Sequence, residues 1–156
     1  MDAGRTRPAT VRVLTALLAF QGISAVGGGA AFLADTSGGF VGMGTEILAA
    51  TPFTTFLWPG LLLSLGLGVP AMVAAVGVHR RGNLAVAAAL ERGTGHHWSW
   101  MVSLAIGVAL MAWIVVQLLL ITERTFLQPL MFIVGAGLVV LPLLPTVRHD
   151  LAVSRS

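Results

Sequence analysis

"GGGAAFLADTSGGF", residues 27–40, sets three consecutive glycines, Gly27, Gly28 and Gly29, inside an apolar run that breaks at Asp35. A glycine loop that cradles phosphate follows a strand, opens a helix and needs a lysine or an acidic partner at defined spacing. This chain has no lysine and no G-x-G-x-x-G pattern, so nucleotide binding at these glycines is set aside. The alternative is a membrane helix. Helices in lipid gain little from burying apolar surface against each other, and small residues let their backbones approach closely.

Working outward, the glycines belong to the first of four uncharged apolar blocks, residues 13–34, 47–78, 98–122 and 125–147. Each is at least as long as the roughly 20 residues that cross a hydrocarbon core. The chain of 156 residues is 56% hydrophobic and only 10% charged, with a mean hydropathy of +0.92. No alternation of apolar and polar residues marks a transmembrane β-barrel. The expected fold is all-α: one polytopic membrane domain, residues 1–156, built as a bundle of four transmembrane helices spanning about 11–34, 53–78, 98–122 and 126–147. The first block is too long for a cleaved signal peptide, and Phe32 sits where a small residue would precede the cut, so it reads as a retained anchor.

Charge sets the orientation. All nine basic residues are arginines. Arg5, Arg7 and Arg12 precede the first block, Arg80, Arg81 and Arg92 lie between the second and third, and Arg148 and Arg155 follow the fourth. Arginine-rich short loops stay cytoplasmic, which puts both termini and the middle loop inside a bacterial plasma membrane. Arg124, Asp35, Glu46 and Glu123 then fall outside. Because the arginines cluster at block ends, their excess reports threading rather than nucleic-acid binding. The absence of cysteine removes thiolate metal sites and dithiol chemistry.

Local signals fill in the connections. Thr45 reads as the N-cap of a short interfacial helix, Glu46–Ala50, in the glycine-rich first outer loop. Helix two is expected to begin at Pro52 and to kink at Pro59 and Pro70. "NLAVAAALERG", residues 83–93, is too short to span and reads as an inner interfacial helix. Trp98 and Trp100 mark an aromatic belt. Thr125 to Gln128 has the pattern of a capping box, and Pro142 and Pro145 distort or end the last inner turns.

Projected at about 100° per residue, Gln21, Ser24, Ser64, Ser99, Ser103, Trp113, Gln117 and Gln128 line consistent sides of their helices. Polar side chains in hydrocarbon are expected to hydrogen-bond across helices. Gly28 on helix one and Gly60, Ser64 and Gly68 on helix two are the expected packing surfaces. If a ligand pocket exists, Asp35, Glu46, Trp58, Trp113, Gln117 and Gln128 place it in the outer half. No ionisable residue lies at depth within a span, Arg12 standing at the inner edge of the first, which argues against proton coupling. His79, His96, His97 and His149 all fall on the inner side, but their spacing is not that of a metal site, and haem would need histidines within the spans. No metal and no cofactor is expected.

Thr51-Pro52-Phe53, Pro59-Gly60-Leu61, Trp113-Ile114 with Gln117, and Leu127-Gln128-Pro129 together resemble a family of small bacterial four-helix membrane proteins over residues 22–145. The resemblance implies the topology, a short apolar helix in the outer loop and an outer-face focus, and nothing catalytic. Residues 83–97 look like an addition to that pattern. The expected function is a non-enzymatic integral plasma-membrane protein, an accessory or a small-ligand or lipid-binding component. Its expected partners are the lipid bilayer and a membrane protein or a second copy of the chain, with no nucleic acid. A small channel or transporter without proton coupling is the alternative.

Overall fold

The computed structural model describes residues 7–80, 88–121 and 124–153. Among them the chain is helical: α1 (Ala9–Ala34), α2 (Leu57–Arg80), α3 (Ala88–Thr94), α4 (Trp98–Leu120), α5 (Leu127–Leu143) and α6 (Pro145–Asp150). The described residues form no strand, only an isolated antiparallel bridge between His96 and Ala152. Expectations for Arg5, Arg81, Glu123, Arg155 and residues 83–87 lie outside the described residues.

Three helices, α1, α2 and α4, are long and apolar enough to cross a membrane, at 26, 24 and 23 residues. The fourth expected span is not one helix. α5 stops after 17 residues, because the residue before a proline is driven out of the helical region. Leu144 accordingly has φ −62° and ψ 138°, and Pro145 starts α6 at its first turn.

α1 packs along α2, α2 on α4, α4 on α5, and α5 back on α1. The ring encloses an apolar core that includes Leu14, Leu18, Ala71, Ala74, Val78, Leu110, Leu138 and Val147. Large apolar residues also cover the outside, with Ile23 65%, Leu65 62%, Leu119 78% and Ile133 68% exposed. A water-soluble bundle would set polar residues there.

Within α2 the turns widen over Leu62–Gly68, where the Val69 N–H donates to Ser64 O, five residues back. Pro70 follows at once; its missing N–H cannot continue the ordinary ladder, and a π-type widening is a common accommodation. The register changes with it. In a regular helix, positions 60, 64 and 68 would drift by about 80°, whereas the wider turns counter that drift and keep Gly60, Ser64 and Gly68 all against α1.

Two expected boundaries are corrected. α2 begins at Leu57, not at Pro52, because Thr51 Oγ1 bonds to Leu48 O at 2.8 Å and accepts from the Phe53 N–H at 3.2 Å, closing a turn there. The chain then descends beside α1, the Phe56 N–H reaching Thr36 O at 2.9 Å and its ring stacking on Phe32 at 4.6 Å. Pro59 therefore lies in a first turn and kinks nothing. The short outer-loop helix is a 3-10 turn, Thr45–Leu48, preceded by Gly44 with no side-chain cap, so Thr45 is inside the turn and does not cap it.

Candidate functional site

The residues expected around an outer pocket have separate employments. The Asp35 carboxylate organises its own loop: Oδ1 accepts from Ser37 Oγ at 2.6 Å and Ser37 N–H at 3.0 Å, and Oδ2 from Phe40 N–H at 3.0 Å. These bonds, the Ser37 hydroxyl first, hold its pKa below the usual carboxylate value, partly opposed by desolvation. They present Phe40 outward, 72% exposed. Gly38, at φ +83°, makes the turn possible, and a Cβ there would also overlap Met43 O. Glu46 is exposed. Trp58 is 59% exposed on the first turn of α2.

Trp113 packs half-buried against the core, and Gln117 is half-buried one turn further along α4. Gln128 is buried, and its Oε1 accepts from the Thr125 N–H at 3.4 Å. Only that arm of the expected capping box forms; α5 starts after Phe126 with no side-chain cap. No hydrogen bond joins any two of Asp35, Glu46, Trp58, Trp113 and Gln117.

The opening glycines divide three ways. A Cβ on Gly29 would overlap Ser64 Oγ and sit 2.6 Å from Gly60 O; on Gly28 it would make ordinary contact with Leu63 Cδ2 at 3.4 Å; on Gly27 it would meet nothing. The close approach expected at Gly28 thus falls at Gly29, one residue and about 100° away. It recurs at Gly22, where a Cβ would overlap Met72 and lie 3.1 Å from Gly68 O, and at Gly68, 2.7 Å from Val26 Cγ2. Gly60 completes the seam, 3.0 Å from Phe32 Cβ.

The Ser24 and Ser103 hydroxyls do not bond across helices as expected. Ser24 Oγ donates to Gln21 O at 3.1 Å and Ser103 Oγ to Ser99 O at 2.6 Å, both within their own helix. Gln21 is 1% exposed and Ser64 7%, and Gln21 Oε1 and Ser64 Oγ are buried with no hydrogen-bond partner.

The densest polar network lies at the opposite end from the expected pocket. Arg7 Nη1 donates to Val78 O and Thr10 Oγ1 lies 3.0 Å from Thr146 Oγ1, which gathers the start of α1, the end of α2 and α6 at one end. There His97 caps α4: Nδ1 accepts from the Ser99 N–H at 3.4 Å and lies 2.8 Å from Ser99 Oγ. Its backbone N–H donates to Leu151 O at 2.8 Å, and Val153 N–H to Gly95 O at 3.1 Å, clamping the tail after α6 onto the start of α4. Glu91 Oε1 accepts from the Trp98 N–H at 3.2 Å. Trp100 Nε1 donates to Pro142 O at 2.8 Å, while its ring stacks on His96 at 4.7 Å.

Glu91, His97 and Ser99 follow the order carboxylate, imidazole, hydroxyl, but they do not make a catalytic relay. Glu91 Oε1 is 3.8 Å from His97 Nε2, beyond hydrogen-bond range, and Ser99 is fully buried beneath its own cap. The motif is a helix start. The sequence carried its signal, a hydrogen-bonding side chain two residues before Ser99, but the clamp by residues 151–153 joins positions too far apart in the chain to be read. Among the described residues no group of three or more His, Cys, Asp or Glu side chains could hold a metal ion.

No family model, curated protein or solved structure matches this chain. What the fold and site define is a class: an all-helical protein with three helices of membrane-crossing length.

Proposed function

We propose that the chain is a multi-pass integral protein of a bacterial plasma membrane, crossing four times with both termini cytoplasmic, and that it acts without catalysis as an accessory or a small-ligand or lipid-binding component. The fourth crossing is α5 continued by α6 past the break at Leu144. The observation that carries the reading is the polarity of the bundle. Its exterior is apolar along α1, α2, α4 and α5, while Gln21, Ser64, Ser99, Ser103 and Gln128 are buried inside. That is the distribution a lipid solvent favours. Arg7, Arg12, Arg80, Arg92 and Arg148 gather at one end, which supports that end being cytoplasmic. The kinship with small bacterial four-helix membrane proteins belongs to the same proposal.

A channel or transporter without proton coupling is the second reading, favoured by the two unpartnered polar atoms at Gln21 and Ser64. Purification from native membranes in mild detergent, with mass spectrometry of retained lipids and proteins, tests the first. It predicts a chain that resists alkaline extraction and keeps a defined lipid or protein. Release by alkaline washing contradicts membrane integration. Solute flux through vesicles holding the chain alone favours the second reading.

A further inference from the structure

We infer that the inner end of the seam between α1 and α2 takes the phosphate of an anionic phospholipid, held by Arg12 and Arg80 together. This deepens the lipid-binding reading above and rests on it. Arg7 Nη1 donates to Val78 O, which sets the start of α1 beside the last turn of α2. Arg12 lies in that first turn and Arg80 closes that last one, both exposed. Neither makes a hydrogen bond or an ion pair through its side chain among the described residues. The described carboxylates of this end lie elsewhere: Glu91 on α3 accepts from the Trp98 N–H, and Asp150 on α6 has one oxygen buried.

Both arginines stand on the lipid-facing margin of the seam. On α1, Val26 meets Gly68 of α2, and Arg12, fourteen residues earlier, is within about 40° of Val26 around the helix. On α2, Met72 meets Gly22 of α1 while still 43% exposed, and Arg80 follows it two turns on. An exposed apolar path leads away from each cation. Ala16 and Ile23 share a face with Arg12, and Val76 and Val73 share one with Arg80. A cation at the foot of an apolar path suits a phospholipid, whose headgroup stays at the interface while its chains follow the path.

The charge calls for an anion. The N-terminus of α1 carries the positive end of the helix dipole, where an acid is favourable and a cation is not. Its first turn nevertheless holds Arg12 and no acid. A phosphate offsets both the dipole and the side chain, and guanidinium forks match phosphate oxygens in bidentate pairs. A zwitterionic headgroup brings its own cation and would leave this end uncompensated, so the fitting headgroup has a net negative charge. Free phosphate has no use for the apolar paths.

The test titrates the full chain in mild detergent with phosphatidylglycerol or with phosphatidylcholine of the same acyl chains, and reads bound lipid by native mass spectrometry. Wild type is expected to bind phosphatidylglycerol about tenfold or more tightly than phosphatidylcholine. Arg12→Gln and Arg80→Gln should each weaken phosphatidylglycerol binding about fivefold and leave phosphatidylcholine binding unchanged. Arg92→Gln, which removes an exposed arginine of the same end on α3, should stay within about twofold of wild type. Inorganic phosphate at the concentration of the lipid should not compete. Equal binding of the two lipids by wild type overturns the inference without recourse to any variant. An equal loss in Arg92→Gln also overturns it, since the attraction would then belong to the whole end and not to the seam, and so does displacement of the lipid by inorganic phosphate. The two readings fail separately: release of the chain by alkaline washing removes membrane integration, whereas an integrated chain without a preference for phosphatidylglycerol removes this inference alone.

Discussion

Gly29 and Ser64 are in such close contact that a single carbon added to Gly29 would overlap the Ser64 hydroxyl. The α-hydrogen of Gly29 faces that oxygen, a weak Cα–H···O contact of a kind that recurs where helices pack backbone to backbone. The consequence is a sharp contrast between adjacent glycines. Gly29→Ala is expected to destabilise the bundle by about 1–3 kcal/mol through overpacking. Gly27→Ala, which meets open space, is expected to be neutral or to stabilise by up to about 1 kcal/mol through helix propensity. Thermal unfolding of both variants in one detergent checks the pair; equal effects would remove the seam from the account.

The outer loop should respond to acid through Asp35. Its carboxyl titrates below the usual carboxylate range, held there first by the Ser37 hydroxyl and then by backbone N–H groups. A depressed folded-state pKa contributes stability above the unfolded value, and that contribution is lost as pH falls through the folded one. The amide resonances of Ser37 and Phe40 should therefore move together as the solution is acidified below the usual carboxylate range. In Asp35→Asn both amides should be insensitive over the same range.

Trp100→Phe keeps a ring to stack on His96 but deletes the donor to Pro142 O. The orphaned carbonyl predicts a loss of about 1 kcal/mol. A Trp100→Phe protein as stable as wild type would show that the bond contributes nothing.

The cap of α4 predicts another ordering. His97→Ala removes the acceptor for the Ser99 N–H and should cost about 1 kcal/mol, whereas His97→Asn, a favoured N-cap, should recover most of it. Deleting residues 151–156 should cost more than either, since Leu151 is 1% exposed in the core and the clamp on His97 goes with it. Denaturation of the three proteins in the same lipid ranks them.

Where apolar runs are long, the sequence was explicit: α1, α2 and α4 are close to the expected spans, because twenty or more uncharged residues admit few other structures. Boundaries fixed by local polar chemistry were not. The Thr51 turn delays α2 to Leu57, and Leu144 before Pro145 splits the last span, although both prolines were in view. The widened turns at Leu62–Gly68 have no periodic signature, and on α1 residue type alone does not tell adjacent glycines apart, so the close approach falls at Gly29 where Gly28 is expected. The expected outer pocket drew on residue types alone, and that could not foresee that Asp35 closes its own loop. The orphaned oxygen of Gln21 depends on what neighbouring helices fail to offer, which only packing reveals.

The four-pass threading of the chain is open to single-cysteine labelling, which the lack of native cysteine keeps clean. Cysteines would replace Thr45, His79, Thr125 and His149 one at a time, all exposed positions, and an impermeant thiol reagent would be applied to intact cells and to inverted vesicles. Positions 45 and 125 should be labelled from outside, and positions 79 and 149 from the cytoplasmic side. Labelling of positions 125 and 149 from the same side would mean that α5 does not cross, and labelling of 45 and 79 from the same side would contradict the crossing of α2.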